Sequence, residues 1–145
     1  MLIDIQRLEK YLDQITTETI VIKKILDFPN SEILNSPPYL RGLKYSIIVI
    51  SEAMANTLQH LLAKIHNQAI TGYKEIFIKS LNYKLLSTDL LNRLQPFISF
   101  RNMLVHQYWR VDDEIFINNL RNGIDDFKQF VKEINHLVEN TSNHS

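Results

Sequence analysis

Cysteine is absent from the chain, which excludes disulfides, thiolate nucleophiles and Cys-based zinc or iron–sulfur sites. Glycine is scarce: three residues leave no room for a Rossmann fingerprint or a Walker A loop, and neither is spelled. No apolar run reaches the roughly 18 residues needed to span a bilayer. The opening Met1-Leu2-Ile3-Asp4 lacks the charged-then-apolar layout of a signal peptide. A soluble cytoplasmic protein with no membrane partner is expected. Excess charge is missing too, with 16 basic and 16 acidic side chains. That balance excludes a protein that coats nucleic acid through bulk charge. What remains is a chain of 145 residues, 45% of them hydrophobic, long enough to bury the core of one domain.

The neutral total hides a segregation. Residues 1–36 balance at −2 and residues 111–145 at −4, whereas residues 37–70 balance at +2 and residues 71–110 at +4. The two readings are chance variation on solvated helix faces and an anion-binding surface built by the central elements.

Apolar spacing is helical nearly throughout. Ile5, Leu8, Leu12, Ile15, Thr19, Ile22 and Leu26 step by three or four and mark one buried stripe on a first helix. That helix must end near Phe28-Pro29-Asn30, because proline restricts the residue before it. A loop from Asn30 to Pro38 comes next, with Ser36-Pro37 as N-cap and first helical proline. Leu43, Ile47, Ile50, Met54, Leu58, Leu61 and Ile65 predict a second long helix to about His66, and a short helical piece is expected around Tyr73–Leu81. Ser87-Thr88-Asp89 offers the next cap. Pro96 should divide the stretch after that cap into helices over 89–95 and 97–108. Asp112, Asp113 and Glu114 suit the start of a last helix, whose stripe is Leu120, Ile124, Phe127, Val131, Ile134 and Val138. The expected fold is all-α, an antiparallel four- to five-helix bundle over residues 1–139, with a disordered tail over 140–145.

One stretch stands apart: Phe100-Arg101-Asn102-Met103-Leu104-Val105-His106-Gln107-Tyr108-Trp109-Arg110-Val111-Asp112. On a helix Asn102 and His106 lie one turn apart on one face, while Arg101 and His106 stand about 140° apart with a rise of ~7.5 Å. Convergence of that second pair needs the long guanidinium arm or an irregular helix start after Pro96. Arg101 is permanently cationic, with a planar fork matched to phosphate oxygens. His106 carries the group whose ordinary pKa permits proton transfer near neutral pH. Asn102 can hold the imidazole or a ribose hydroxyl. Metal-free RNA cleavage needs a base for the 2′-hydroxyl, charge stabilisation at phosphorus and a proton for the leaving oxygen. Arg and His cover these tasks without a cofactor or metal, and a two-fold axis through this helix would place two of each in one cleft.

The plainer reading is that such offsets arise by chance and that Tyr108-Trp109 serve as core or interface aromatics. Among the other histidines, His60 and His66 point to different faces, His136 lies near the last stripe and His144 is in the tail. No pair has metal-ligand spacing together with a carboxylate. Glu52 follows the apolar run Ile47–Ile50 and reads as a satisfied, semi-buried carboxylate, with catalysis the other reading. Lys74, Lys79, Lys84, Arg93 and Arg110 are candidate RNA contacts on charge alone.

The segment Arg101-Asn102-Met103-Leu104-Val105-His106-Gln107-Tyr108-Trp109 resembles the Arg-x4-His-x-Tyr signature of HepT toxins, in the HEPN (higher eukaryotes and prokaryotes nucleotide-binding) superfamily. The resemblance continues into Arg110-Val111-Asp112 and includes Ser51-Glu52-Ala53 in the second helix. It implies an all-α homodimer with metal-independent ribonuclease activity on cellular RNA, tRNA or mRNA. Arg101 and His106 would be the catalytic pair and Asn102 a supporting residue. It also implies a partner, a minimal nucleotidyltransferase antitoxin (MntA-like) that adenylylates Tyr108. A bulky AMP anion there could occupy the Arg101 pocket and repel RNA phosphates. The alternative is a non-catalytic HEPN subunit that binds nucleotide or substrate for a partner nucleotidyltransferase.

Overall fold

A computed structural model describes residues 2–107 and 110–143, with side chains described as far as residue 141. Six helices occur in order: α1 (Ile5–Leu26), α2 (Asn30–Leu34), α3 (Pro37–His66), α4 (Tyr73–Asn82), α5 (Thr88–His106) and α6 (Asp113–Asn143). Helix α3 is the axle of the bundle and packs against α1, α2, α4 and α5. Helix α6 closes the bundle against α1, α2 and α5. No strand occurs among the described residues.

The expected stripes are the core. Leu8, Leu12, Ile15 and Ile22 from α1 meet Leu43, Ile47, Ile50, Met54, Leu58 and Leu61 from α3, and Leu120, Phe127 and Ile134 from α6 are buried with them. Caps sit where the sequence placed them. Ser36 accepts from the Tyr39 amide, Ser87 accepts from the Leu90 amide, and Asp112 accepts from the amides of Glu114 and Ile115. Each satisfies a donor that the first helical turn leaves without a partner.

Three departures have physical reasons. The stretch after Asn30, expected to be loop, contains the short α2, whose Ile33 is fully buried and gives that turn a reason to form. Arg121 of α6 secures the same region, donating to the carbonyls of Leu26 (2.8 Å) and Phe28 (2.7 Å) and to the Asn30 side-chain oxygen (2.7 Å). The last helix runs to Asn143, beyond the end expected at residue 139. Near its end the Thr141 hydroxyl donates back to the Leu137 carbonyl at 2.8 Å.

The third departure bears on the site. Pro96 does not divide α5, which is continuous from Thr88 to His106. A proline inside a helix removes one hydrogen bond, to the carbonyl four residues earlier, and costs about 3 kcal/mol relative to alanine. Here Pro96 and Asn92 are both exposed, so water can take over the freed carbonyl. The opposite face holds the helix in place: Leu94, Phe97 and Ile98 are buried. Phe97 packs on Phe127 of α6 with ring centroids 4.9 Å apart. Gly123 of α6 permits that approach, because a Cβ there would lie 2.7 Å from the Phe97 ring.

Candidate active site

Three helices converge on Arg101. Its own helix α5 supplies Asn102, α3 supplies Ser51 and Glu52, and α4 supplies Tyr73. Arg101 Nη1 donates to Asn102 Oδ1 at 2.9 Å, and Nη2 donates to Glu52 Oε1 at 3.0 Å. The guanidinium lies over the Tyr73 ring, 4.3 Å from its centroid, where the ring's negative face attracts a cation. The Nε proton is buried and finds no acceptor. The Arg101 side chain is 19% exposed and that of Glu52 is 47% exposed. The cation is therefore largely walled in by protein, while its anionic partner stands in water.

Tyr73 has two hands. Its ring carries the guanidinium, and its hydroxyl donates to the Ile98 carbonyl of α5 at 3.2 Å. Burial drives the phenol well above its ordinary pKa of 10, with hydrogen bonding to Ser51 and the Arg101 charge opposing. The group therefore stays protonated and donating at any physiological pH. Ser51, fully buried in α3, approaches the Phe97 carbonyl at 3.5 Å. The two hydroxyls thus reach successive carbonyls in the turn just after Pro96. The ring is braced in turn by an edge contact to Phe77, 5.2 Å away. Local sequence explains the placement: Gly72 opens α4, and Tyr73 is its first helical residue, at the end of the helix nearest the motif.

His106 is the last residue of α5. It is exposed, and its side chain forms no hydrogen bond among the described residues. Because α5 is unbroken, no irregularity after Pro96 brings His106 round to Arg101; the helical offset of about 140° stands. Asn102 is brought to Arg101 by direct hydrogen bond rather than to His106. Tyr108, the third letter of the motif, lies outside the described residues, as do Trp109 and His144. On the far side of the segment, Lys44 of α3 reaches Asp113 at the start of α6 at 2.7 Å, with the lysine side chain only 7% exposed. That pair fixes where the chain re-enters the bundle after the motif.

The candidate RNA contacts separate. Lys74 lines a 320 Å³ cleft between α4 and α5 that also includes Gln95, Ser99 and Asn102, beside Arg101. Lys84 is exposed in the α4–α5 turn with a left-handed φ of 55°. Lys79 is half-buried and Arg110 exposed. Arg93 pairs with Asp126 of α6 at 3.0 Å and with Asp89 of its own helix, so its charge is balanced inside the protein and it ties α5 to α6.

Two members of the Arg101 network were not legible as such. Tyr73 is 28 residues from Arg101 in sequence, and no local pattern links them; the aromatic directly after a helix-opening glycine was its only signal. Glu52 was expected to be satisfied and semi-buried. It is satisfied, by Arg101, but half-exposed, because it sits on the α3 face between the buried Ser51 and Ala53. The other histidines have structural surroundings. His60 Nε2 accepts from the Asp4 amide at 3.0 Å, and desolvation, then Arg7 and Lys64, lower its pKa. His66 faces the Tyr83 ring at 4.5 Å, and His136 lies 3.1 Å from Asn140 Nδ2. Among the described residues, no three His, Cys, Asp or Glu side chains are grouped to hold a metal ion, and no helix is long and apolar enough to cross a membrane.

Comparison with known proteins places this geometry. The chain is 24% identical over 128 residues to the tRNA nuclease HepT of Aphanizomenon flos-aquae, covering 83% of this chain and 87% of that one. Its fold matches a tri-AMPylated HEPN toxin of Shewanella oneidensis, solved in complex with an MNT antitoxin. There the TM-score is 0.81 at 16% identity, covering 90% of this chain and 97% of that chain. It also matches YutE of Bacillus subtilis, a cytosolic protein of unknown function, with a TM-score of 0.80 at 17% identity over 96% of this chain and 93% of that chain. The family model for ribonuclease HepT-like proteins matches residues 1–134. With the match reaching into all six helices and the motif on α5, the chain belongs to the HepT-like family of HEPN proteins.

Proposed function

We propose that the chain is a metal-independent endoribonuclease toxin of a toxin–antitoxin pair, acting on cellular RNA, tRNA or mRNA, as a homodimer. The observation that carries this reading is the Arg101 fork, seated on Tyr73 within the family motif and one helical turn and a half from His106. The tRNA nuclease activity named for the Aphanizomenon relative supports it, as does the MNT antitoxin bound to the Shewanella toxin.

In this mechanism an imidazole of His106 takes the proton of the ribose 2′-hydroxyl. The 2′-oxygen attacks phosphorus, Arg101 stabilises the charge gathering on the phosphoryl oxygens, and the 5′-oxygen leaves with a proton from the protonated His106 of a second copy. The products are a 2′,3′-cyclic phosphate and a 5′-hydroxyl. One His106 cannot act as base and acid at the same instant. Its separation from Arg101 within one chain therefore favours a cleft shared by the motif helices of two copies. Regulation by an MntA-like nucleotidyltransferase through adenylylation of Tyr108 belongs to the same reading, because a tethered AMP would bring a phosphodiester anion to the Arg101 fork.

The test is RNA cleavage by purified protein in EDTA. Arg101→Ala and His106→Ala should each lower the rate by roughly 10²- to 10³-fold. Equal rates in all three proteins would overturn the assignment, and loss of activity in EDTA would overturn metal independence. Coexpression with the nucleotidyltransferase should add AMP mass that Tyr108→Phe abolishes. A monomer by sedimentation would remove the shared cleft.

A further inference from the structure

The acceptors now held by Arg101 differ in kind. Asn102 Oδ1 is neutral and lies on the adjacent residue, so it orients the guanidinium without cancelling its charge. The Tyr73 ring does the same from below. Glu52 is different: it is an anion, it comes from another helix, and its side chain is 47% exposed where that of Arg101 is 19%. A guanidinium binds an oxyanion best along the edge formed by Nε and Nη2, through two parallel hydrogen bonds. Glu52 takes one donor of that edge, Nη2, and Nε is left buried with no acceptor. Buried donors without partners are uncommon enough in folded proteins to need a reason.

We infer that Glu52 is an internal stand-in for the substrate phosphate, a carboxylate that holds the Arg101 fork in the resting protein and must be displaced when a phosphodiester binds. The inference rests on reading Arg101 as the phosphate-binding group of the proposed site. Displacement frees Nη2, and a phosphate that settled along the Nε–Nη2 edge would meet the idle Nε as well. It moves an exposed side chain on the surface of α3 and leaves Tyr73 and Asn102 in place. Orientation of the fork therefore survives without Glu52, and what Glu52 adds is competition. A single phosphate has only the fork to gain when it displaces the carboxylate. A polymer brings further phosphates within reach of the exposed Lys74 and Lys84, so the competition favours RNA over mononucleotides as ligand.

The experiment measures binding rather than cleavage, with an all-DNA oligonucleotide that has no 2′-hydroxyl to attack, and with AMP as a single-phosphate probe. Glu52→Gln keeps the shape and a hydrogen-bonding oxygen but removes the charge. Its affinity for both probes should rise roughly three- to tenfold at low salt, the scale of one partly exposed ion pair. The rise should shrink as salt increases. In an Arg101→Ala background the same Glu52→Gln change should give no rise. Glu52→Asp, which keeps the charge on a shorter arm, should fall between wild type and Glu52→Gln. Unchanged or weaker binding by Glu52→Gln overturns the inference, and so does an equal rise without Arg101, which would mark simple removal of surface charge. The outcome is separable from the ribonuclease reading. If the wild type cuts no RNA but the Arg101-dependent rise appears, only the ribonuclease reading falls. If the wild type cuts RNA through Arg101 and no rise appears, only the role of Glu52 falls.

Discussion

Of the three arginines that reach across helix boundaries among the described residues, Arg93, Arg101 and Arg121, the last two differ most in their acceptors. Arg121 donates through Nε, Nη1 and Nη2 to two backbone carbonyls and an asparagine oxygen around the end of α1. Those acceptors are fixed by the fold. They are neutral, and none of the three nitrogens is left idle. Arg101 is less satisfied, holding one neighbouring amide, one exposed carboxylate and an aromatic face, with Nε unused. Arg121 thus closes its hydrogen bonds on groups that cannot leave. Arg101, on the reading proposed above, is held in part by one that can.

That contrast collapses if the two truncations fail to separate. Arg101→Ala should lower RNA cleavage by roughly two to three orders of magnitude and leave the urea midpoint close to wild type, because the Glu52 it releases already stands in water. Arg121→Ala should do the reverse. It should lose about 1–3 kcal/mol of unfolding free energy, the worth of charge-assisted bonds to backbone, while the folded fraction cleaves at the normal rate. Urea unfolding and initial rates on the same preparations check both.

A contact without charge tests the same division from another side. Gly123→Ala would push a methyl group into the Phe97 ring, which lies 2.7 Å from the place a Cβ would take. It should destabilise by about 1–3 kcal/mol through overpacking. Unlike the binding rise of Glu52→Gln, this loss should not depend on salt, which unfolding at two ionic strengths would show. The smallest effect concerns pH. His60 has a folded pKa lowered by desolvation and by Arg7 and Lys64, so the unfolded chain binds its proton more readily. Its contribution is present above the ordinary value of 6.5 and is lost as pH falls through the folded pKa. Stability should therefore decline on acidification below about pH 6.5. His60→Gln should flatten that part of the profile, and an unchanged slope would show that other groups set it.

Much of the scaffold was legible because it rests on local rules. The stripes of α1, α3 and α6 are buried or packed on the core at the positions their spacing predicted, except Ile5, which is exposed at the start of α1, and Ser36, Ser87 and Asp112 cap the helices they precede. Pro96 misled because the local rule gives the cost of an interior proline but not what offsets it. Burial of Leu94, Phe97 and Ile98, together with two hydroxyls from other helices, is invisible in a window around residue 96. The site divides in the same way. Arg101, Asn102 and His106 were legible as a motif within one helix. Tyr73 and the pairing of Glu52 with Arg101 depend on how α3 and α4 pack on α5, over separations that no periodicity encodes. The neutral total charge likewise gave no warning that Arg93 would be balanced by Asp89 and Asp126 while Lys74 would line the cleft beside the motif.

The tight seat of Phe97 against Gly123 has a consequence for how such a chain can change over generations. A side chain at 123 would overlap the aromatic ring at 97, so position 123 gains one only at a cost in stability while Phe97 stays. A lineage that gains a methyl at 123 escapes that cost by accepting a smaller residue at 97. Because Phe97 lies four residues ahead of Arg101 on the same helix, that exchange would also reset the distance of the motif from α6. The two positions should thus be inherited as a pair, large with none or small with small, even among relatives whose remaining core has been thoroughly rewritten.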